Sequence, residues 1–352
     1  MILKKYGFNP DILSSLNVSE TETIADVARV IAVHKERYEL VCEYGGTFGR
    51  LKTGVYYAGA YESFPTTGDF VLINYNPIGD SQIIKTLPRR SCFTRRDPTP
   101  GRGEQSVASN FDYVFIMQSL NLDFNIKRLE RYTTLAWQSG ALPVIILTKV
   151  DLVQDFSQQV REAEKVAPGV SVHPVSAVNG YGIDALAYYL EPQKTIVFLG
   201  SSGVGKSSLV NALAGNDIME VKEIREDDSR GRHTTTHRQL IMLPGGAMII
   251  DTPGMRELGM WDVSRGLPEA FEDVEQYFGL CKFSDCKHQR EPGCAIRAAI
   301  ENGDLPPGRW DSYISLRREA EYSDDRASYL RQKQQRHKEI AKWSKQNKKN
   351  GK

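Results

Sequence analysis

Short apolar runs separated by glycine-rich turns fill the chain from about Thr23 to Thr94; Ala28–Val33, Tyr38–Cys42, Asp69–Ile73 and Gln82–Leu87 are the clearest. Runs of this length, with no helical periodicity between them, predict about five strands forming a small β-barrel. An OB-type barrel is the leading form, and such barrels often bind oligonucleotides; an SH3-like barrel serving as a spacer is the alternative. The polar, glycine-containing stretch Arg95 to Ser106 reads as a linker. Beyond it the pattern changes. Tyr113–Met117, Pro143–Leu147, Thr195–Leu199 and Ala247–Ile250 are continuous apolar runs, as expected of parallel strands buried on both faces. The helical segments Ile126 to Gln138 and Ser157 to Val166 intervene, which predicts an α/β domain. From about Gly266 the chain turns helical and polar. The expected division is a barrel over 1–95, an α/β domain over 104–262 and a helical domain over 263–352.

Composition narrows the class. Over 352 residues, 40% are hydrophobic and 25% charged, the balance of a folded globular protein rather than a disordered one. No apolar run is long enough to cross a bilayer, and Met1 to Leu16 lacks the pattern of a secretory leader. A cytoplasmic protein without a membrane partner is expected, and nothing demands more than a monomer. Five cysteines, an odd number, argue against a disulfide framework.

The strongest chemical signal is Gly200-Ser201-Ser202-Gly203-Val204-Gly205-Lys206-Ser207, which fits G-x-x-x-x-G-K-[ST]. It follows an apolar run and precedes the helix-like Ser208 to Leu213. Glycines let successive amides converge on phosphate oxygens, and the helix N-terminus adds its dipole there. Lys206 is expected on the β- and γ-phosphates and Ser207 on Mg²⁺.

Thr148-Lys149-Val150-Asp151 fits [NT]-K-x-D after another apolar run. The Asp151 carboxylate can accept two hydrogen bonds from guanine N1–H and N2–H₂, a pair adenine lacks, while the Lys149 stem covers the base. Thr148 stands where Asn is usual. Ser176-Ala177 matches the short loop that closes over the base. Asp251-Thr252-Pro253-Gly254 fits D-x-x-G: Asp251 would hold Mg²⁺ through water, and the Gly254 amide would sense the γ-phosphate. Gly231 to His237 reads as a switch segment, with Thr235 the expected third Mg²⁺ ligand. The base motifs thus precede the phosphate loop, and D-x-x-G comes last. A circular permutation gives this order without altering the sheet. The chain after Gly254 would then lead directly to the C-terminal domain, so γ-phosphate movement there would pull on it.

Cys281-x₄-Cys286-x-His288-x₅-Cys294 supplies three thiolates and one imidazole, a closed tetrahedral shell for structural zinc. An iron–sulfur centre is the lesser alternative. From Arg331 to Lys352 nine basic residues face one acid, Glu339, a tail suited to phosphate backbones.

Barrel, permuted motifs and C-x₄-C-x-H-x₅-C together resemble the RsgA (YjeQ) family over nearly the whole chain. Gln105 to Asn110 and Ser119 to Tyr132 are also similar to segments of that family. The resemblance implies an OB-type barrel, a circularly permuted GTPase and a zinc-binding domain. It also implies a maturation factor that binds the 30S ribosomal subunit and 16S rRNA late in assembly, with GTP hydrolysis stimulated there. Met255 occupies the place where many GTPases carry a water-orienting Gln, so slow intrinsic turnover is expected. His233 is the candidate catalytic group in cis, beside Lys206 and Thr235. The competing readings are a nucleotide-gated RNA-binding module with negligible turnover and an ATP-dependent small-molecule kinase. Asp151 argues against the kinase.

Overall fold

The computed structural model describes residues 1–10, 27–35, 37–52, 64–96, 104–121, 123–219, 238–251 and 266–321. In the N-terminal part lie β1 (Val27–Val33), β2 (Tyr38–Cys42), β3 (Gly45–Leu51), β4 (Phe70–Asn74) and β5 (Ser81–Thr86). Their spatial order is β1-β2-β3-β5-β4, and β4 returns to β1, which closes the barrel. The β3–β5 pairing is parallel and the others antiparallel. This is the Greek-key closure of an OB-type barrel. Val30, Leu40, Val71, Ile73 and Ile83 fill its interior. The short helix α1 (Ile2–Lys5) seals its outside with Leu3, against Val41, Phe70 and Leu72.

At both ends of the stretch read as a linker, the described residues form paired strands instead. β6 (Cys92–Arg96) and β7 (Glu104–Ser109) pair antiparallel. Phe93, Val107 and Ala108 are buried in the core of the following domain. Arg89 donates to Ser106 Oγ at 2.6 Å while gripping buried Asp69 with two further hydrogen bonds. The apolar face is short and interrupted by polar residues, so a strand resembled a loop.

The α/β unit contains β8 (Tyr113–Ser119), β9 (Leu142–Thr148), β10 (Val172–Pro174), β11 (Thr195–Gly200), β12 (Gln239–Met242) and β13 (Met248–Asp251). Their order is β10-β9-β8-β11-β13-β12. All neighbours are parallel except β12, which runs antiparallel to β13. Helices α2 (Ile126–Gln138) and α3 (Ser157–Val166) have the limits their periodicity predicts. They cover one face, and α4 (Lys206–Ala214) covers the other with Leu209 and Val210.

Beyond the sheet come α5 (Gly266–Ala270), α6 (Glu272–Glu275), α7 (Ala295–Asn302) and a helix over 307–321, α8. Phe271, Val274, Ile296, Leu305, Tyr313 and Leu316 share one continuous core with Leu129 and Tyr132 of α2. Among the described residues the C-terminal unit therefore has no separate interior; it packs on the helices of the α/β unit.

A buried arginine joins barrel and sheet. Arg29 is 1% exposed. Its guanidinium donates to the Gly68 carbonyl of the barrel, to the Asn110 carbonyl, to Thr195 Oγ1 of β11 and to the Tyr6 carbonyl. Burial pushes it down to about 9, with Asp112 opposing the shift, so it remains charged at neutral pH. Close by, β1 shifts register between Val30 and Ala32, and Ala32 then pairs with Gln239 of β12. That bulge lets one strand serve both barrel and sheet.

A second buried cation ties the C-terminal unit to α2. Arg309 and Glu130 are 5% and 3% exposed and pair at 2.9 Å. Arg309 also grips Asp273 and lies over the Phe271 ring. Removing one partner leaves the other buried and uncompensated, so Arg309→Ala is expected to cost about 3–5 kcal/mol of unfolding free energy. Urea unfolding monitored by circular dichroism measures this; a change below about 1 kcal/mol, the scale of a surface pair, would show that the pair carries no such weight.

Candidate functional site

The ends of β9, β8, β11 and β13 lie side by side, carrying Thr148, Ser119, Gly200 and Asp251. In open α/β sheets, ligands bind outside these carboxyl ends. From β11 the chain turns through Ser201–Gly205 into α4. Gly203 and Gly205 have φ of +73° and +100°, where a side chain would be strained. Val204 is buried and anchors the loop, while Ser202 and Gly203 are exposed above it. Ser207 and Ser208 occupy the first turn of α4. The Lys206 ammonium pairs with the carboxylate of Asp251, which is 4% exposed at the end of β13. The phosphate-loop lysine and the D-x-x-G aspartate thus meet across two adjacent strands.

At the base side, the Thr148 hydroxyl donates to the Val204 carbonyl at 2.6 Å and also lies 3.3 Å from the Gln118 carbonyl. Thr148 is therefore a tie between β9 and the phosphate loop. Lys149 follows with φ of +62°, a left-handed turn that leads Asp151 onto a short 3₁₀ segment. Ser176 Oγ donates to Asp151 Oδ1 at 2.5 Å and itself accepts the Val178 amide at 3.2 Å. The two base motifs are thus in contact, with Ala177 beside them. One group that no motif predicts joins the site. Ser201 Oγ donates to Asp123 Oδ2, and Arg128 holds Asp123 Oδ1 at 2.9 Å.

The four expected metal ligands converge. One ligand atom each from Cys281, Cys286, His288 and Cys294 lies within 4.8 Å of all the others. His288 Nδ1 is 3.4 Å from Cys281 Sγ and 3.5 Å from Cys294 Sγ. Phe278 stacks on the imidazole at 5.1 Å and Trp310 meets it edge-on at 5.8 Å, which fixes the ring. Burial lowers the His288 pKa and so favours the neutral, ligating form. Burial would raise the Cys281 thiol, but hydrogen bonds from the Ala295 amide and neighbouring thiols outweigh it and lower its pKa; Cys286 is pushed up to about 11, chiefly by burial. The set can hold a metal ion.

His233, Thr235 and the rest of Gly231–His237 lie outside the described residues, as do Gly254, Met255 and the basic tail. No described helix is long and apolar enough to cross a membrane.

With the strand ends in this order, the α/β unit is a GTP hydrolase of the P-loop class, circularly permuted. The chain belongs to the RsgA GTPase family, whose family model matches residues 86–261. Among relatives, "Small ribosomal subunit biogenesis GTPase RsgA 1" of Listeria monocytogenes is 45% identical, covering 92% of this chain and 90% of that one. The "Small ribosomal subunit biogenesis GTPase RsgA" of Methanosarcina acetivorans is 40% identical, covering 87% of this chain and 84% of that one. In structure the chain is similar to YjeQ from Thermotoga maritima, with a TM-score of 0.63 and 26% identity, covering 83% of this chain and 96% of that one. It shares its fold with YloQ, described as a circularly permuted GTPase, at a TM-score of 0.60 and 24% identity over 88% and 99% of the two chains.

The cluster makes a direct prediction. In protein purified without chelator, Cys281, Cys286 and Cys294 are expected to be protected from a thiol reagent. A strong chelator should expose all of them and lower the thermal midpoint. Equal thiol reactivity before and after chelation would remove the metal assignment.

Proposed function

We propose that this GTPase acts late in maturation of the 30S ribosomal subunit, contacts 16S rRNA, and is stimulated there to hydrolyse GTP. One observation carries the reading: relatives named for small-subunit biogenesis match over about nine tenths of both chains. In this reading the barrel (1–95) and the metal-binding unit (263–352) grip the particle, and the GTPase unit (104–262) times release. A groove beside the cluster, lined by Lys287, Gln289, Trp310, Arg318 and the Arg317–Glu321 ion pair, offers cations and an indole edge suited to RNA. The cluster's ligand chemistry, three thiolates and an imidazole, suits one structural zinc ion.

The roles of the residues follow from their chemistry. Amides of Gly200 to Ser208 cradle the phosphates, and Lys206 neutralises the β- and γ-oxygens. Ser207, Thr235 and, through water, Asp251 would hold Mg²⁺, which would supply charge for the phosphate oxygens; Lys206, paired with Asp251 in this structure, would then be free for the phosphates. Asp151 reads guanine, steadied by Ser176, while Lys149 and Ala177 bound the base; Gly254 answers the γ-phosphate. Thr148 leaves base reading to Asp151 and holds the loop instead. Because Met255 cannot orient water, the missing group comes from His233 or from the ribosomal particle. The protein works as a cytoplasmic monomer.

Two measurements test this. Turnover of purified protein should rise on the order of 10²-fold with small subunits and stay flat with large ones; tight GTP binding with no stimulation would return the partner to the unknown. Stimulated turnover that survives His233→Ala would assign the catalytic group to the particle. Asp151→Asn should weaken GTP binding roughly 10–100-fold, the worth of one charge-assisted hydrogen bond, and improve binding of xanthosine triphosphate, whose edge complements an amide. Unchanged GTP affinity would show that Asp151 does not read the base.

A further inference from the structure

Asp123 stands in the turn between β8 and α2 and touches the phosphate loop at Ser201. The same turn is held to the loop at a second point. Gln118, fully buried, clamps Asn125 with hydrogen bonds of 2.8 and 3.0 Å. Its carbonyl faces the Thr148 hydroxyl, which donates to Val204. Asn125 then caps α2 by accepting the Arg128 amide at 3.0 Å. The start of α2 is thus fastened near both ends of the phosphate loop.

The rest of α2 is fastened to the metal-binding unit. Glu130 is paired with Arg309, and Arg131 with Glu319. A Cβ on Gly266 would lie 2.3 Å from the Thr134 carbonyl oxygen, so α5 sits directly on the backbone of α2. Arg309 precedes Trp310, whose ring meets His288 of the metal cluster. The helix is 13 residues long, about 20 Å at its regular rise. A helix set in a shared core, hydrogen-bonded at its start, ion-paired in its second turn and closely packed by Gly266 at Thr134 and Gln138, moves as one body.

We propose that Asp123 is a positioning residue of the GTP site, and that α2 carries the state of the phosphate loop to the metal-binding unit as a rigid strut. Closing the loop on phosphates changes the place of Ser201. The Asp123 carboxylate follows it, because Arg128 holds its other oxygen to the helix. This route is separate from the chain after Gly254, and it rests on GTP binding alone, not on a ribosomal partner. By linkage, the metal-binding unit acts back on nucleotide affinity by the same factor.

The test is hydrogen exchange of residues 295–321 in the full-length protein, nucleotide-free and saturated with GDP, which fills the phosphate loop without engaging the γ-phosphate route. Nucleotide affinity is titrated separately, so weakened binding is not mistaken for lost coupling. Wild type should show a difference between the empty and the GDP-bound protein. Asp123→Asn should shrink that difference roughly fivefold or more, Glu130→Gln should do the same from the other end, and the double variant should lose no more than either single one. Asp123→Glu should restore part of it, as lost packing alone would not allow. Where Glu130→Gln fails to fold, Arg131→Gln, which breaks the second ion pair from this helix to the C-terminal unit, takes its place. An undiminished difference in folded, nucleotide-saturated Asp123→Asn would overturn the proposal, as would wild-type exchange indifferent to the nucleotide.

Discussion

Everything at the nucleotide site depends on one backbone constraint. A loop of amides must face a cluster of negative oxygens, and only certain strand neighbours leave room for it. β11 approaches β8 so closely that a Cβ on Gly200 would lie 2.9 Å from the Met117 carbonyl oxygen. That contact puts the loop beside Gln118 and, one strand further, beside Thr148. On the other side β13 delivers Asp251 against Lys206. None of these relations refers to the order in which the strands are made. The chain can therefore enter the sheet at β8 and leave after β13, and the same groups still meet. Permutation is permitted because the chemistry lies in spatial neighbours; it matters because it decides what is attached to each moving part.

The C-terminal unit illustrates that second point. Its metal cluster is local, built within a short segment and braced by Phe278 and Trp310. Its larger apolar residues belong to the core under α2. A buried arginine crosses that boundary, as another crosses between barrel and sheet. Buried ion pairs and buried cations add little net stability over apolar packing, but they tolerate few alternative arrangements. They fix orientation, which the proposed grip on one large particle would require.

Much of this was legible in the chain. The continuous apolar runs of β8, β9, β11 and β13 are strong because both faces of a parallel sheet are dry, and the phosphate loop and metal ligands are local in sequence. Helices α2 and α3 emerged with their limits because their apolar periodicity is unbroken. The hairpin of β6 and β7 was misread because two of its buried positions, Ser106 and Ser109, are serines, which break the apolar run. β12 went unnoticed because it is four residues long and at the edge of its domain's sheet. Glu130, Arg29 and Arg309 resemble surface charges until the fold encloses them. Asp123 had no local sign at all: its meaning arises from Ser201, distant in sequence. Thr148 stands where Asn is usual, and only the fold shows its hydroxyl tying β9 to the phosphate loop.

The shared strand β1 has a consequence for how such a protein can be divided or inherited. It closes the barrel on one side and caps the open edge of the GTPase sheet on the other. Bare strand edges invite pairing with other chains. Cutting the barrel away would uncover β12, and cutting the sheet away would leave Arg29 without the Asn110 and Thr195 oxygens that receive it. The boundary is thus not a seam. Neither half can be exchanged for a foreign one without remaking this junction, so the two are bound to persist, or be lost, together.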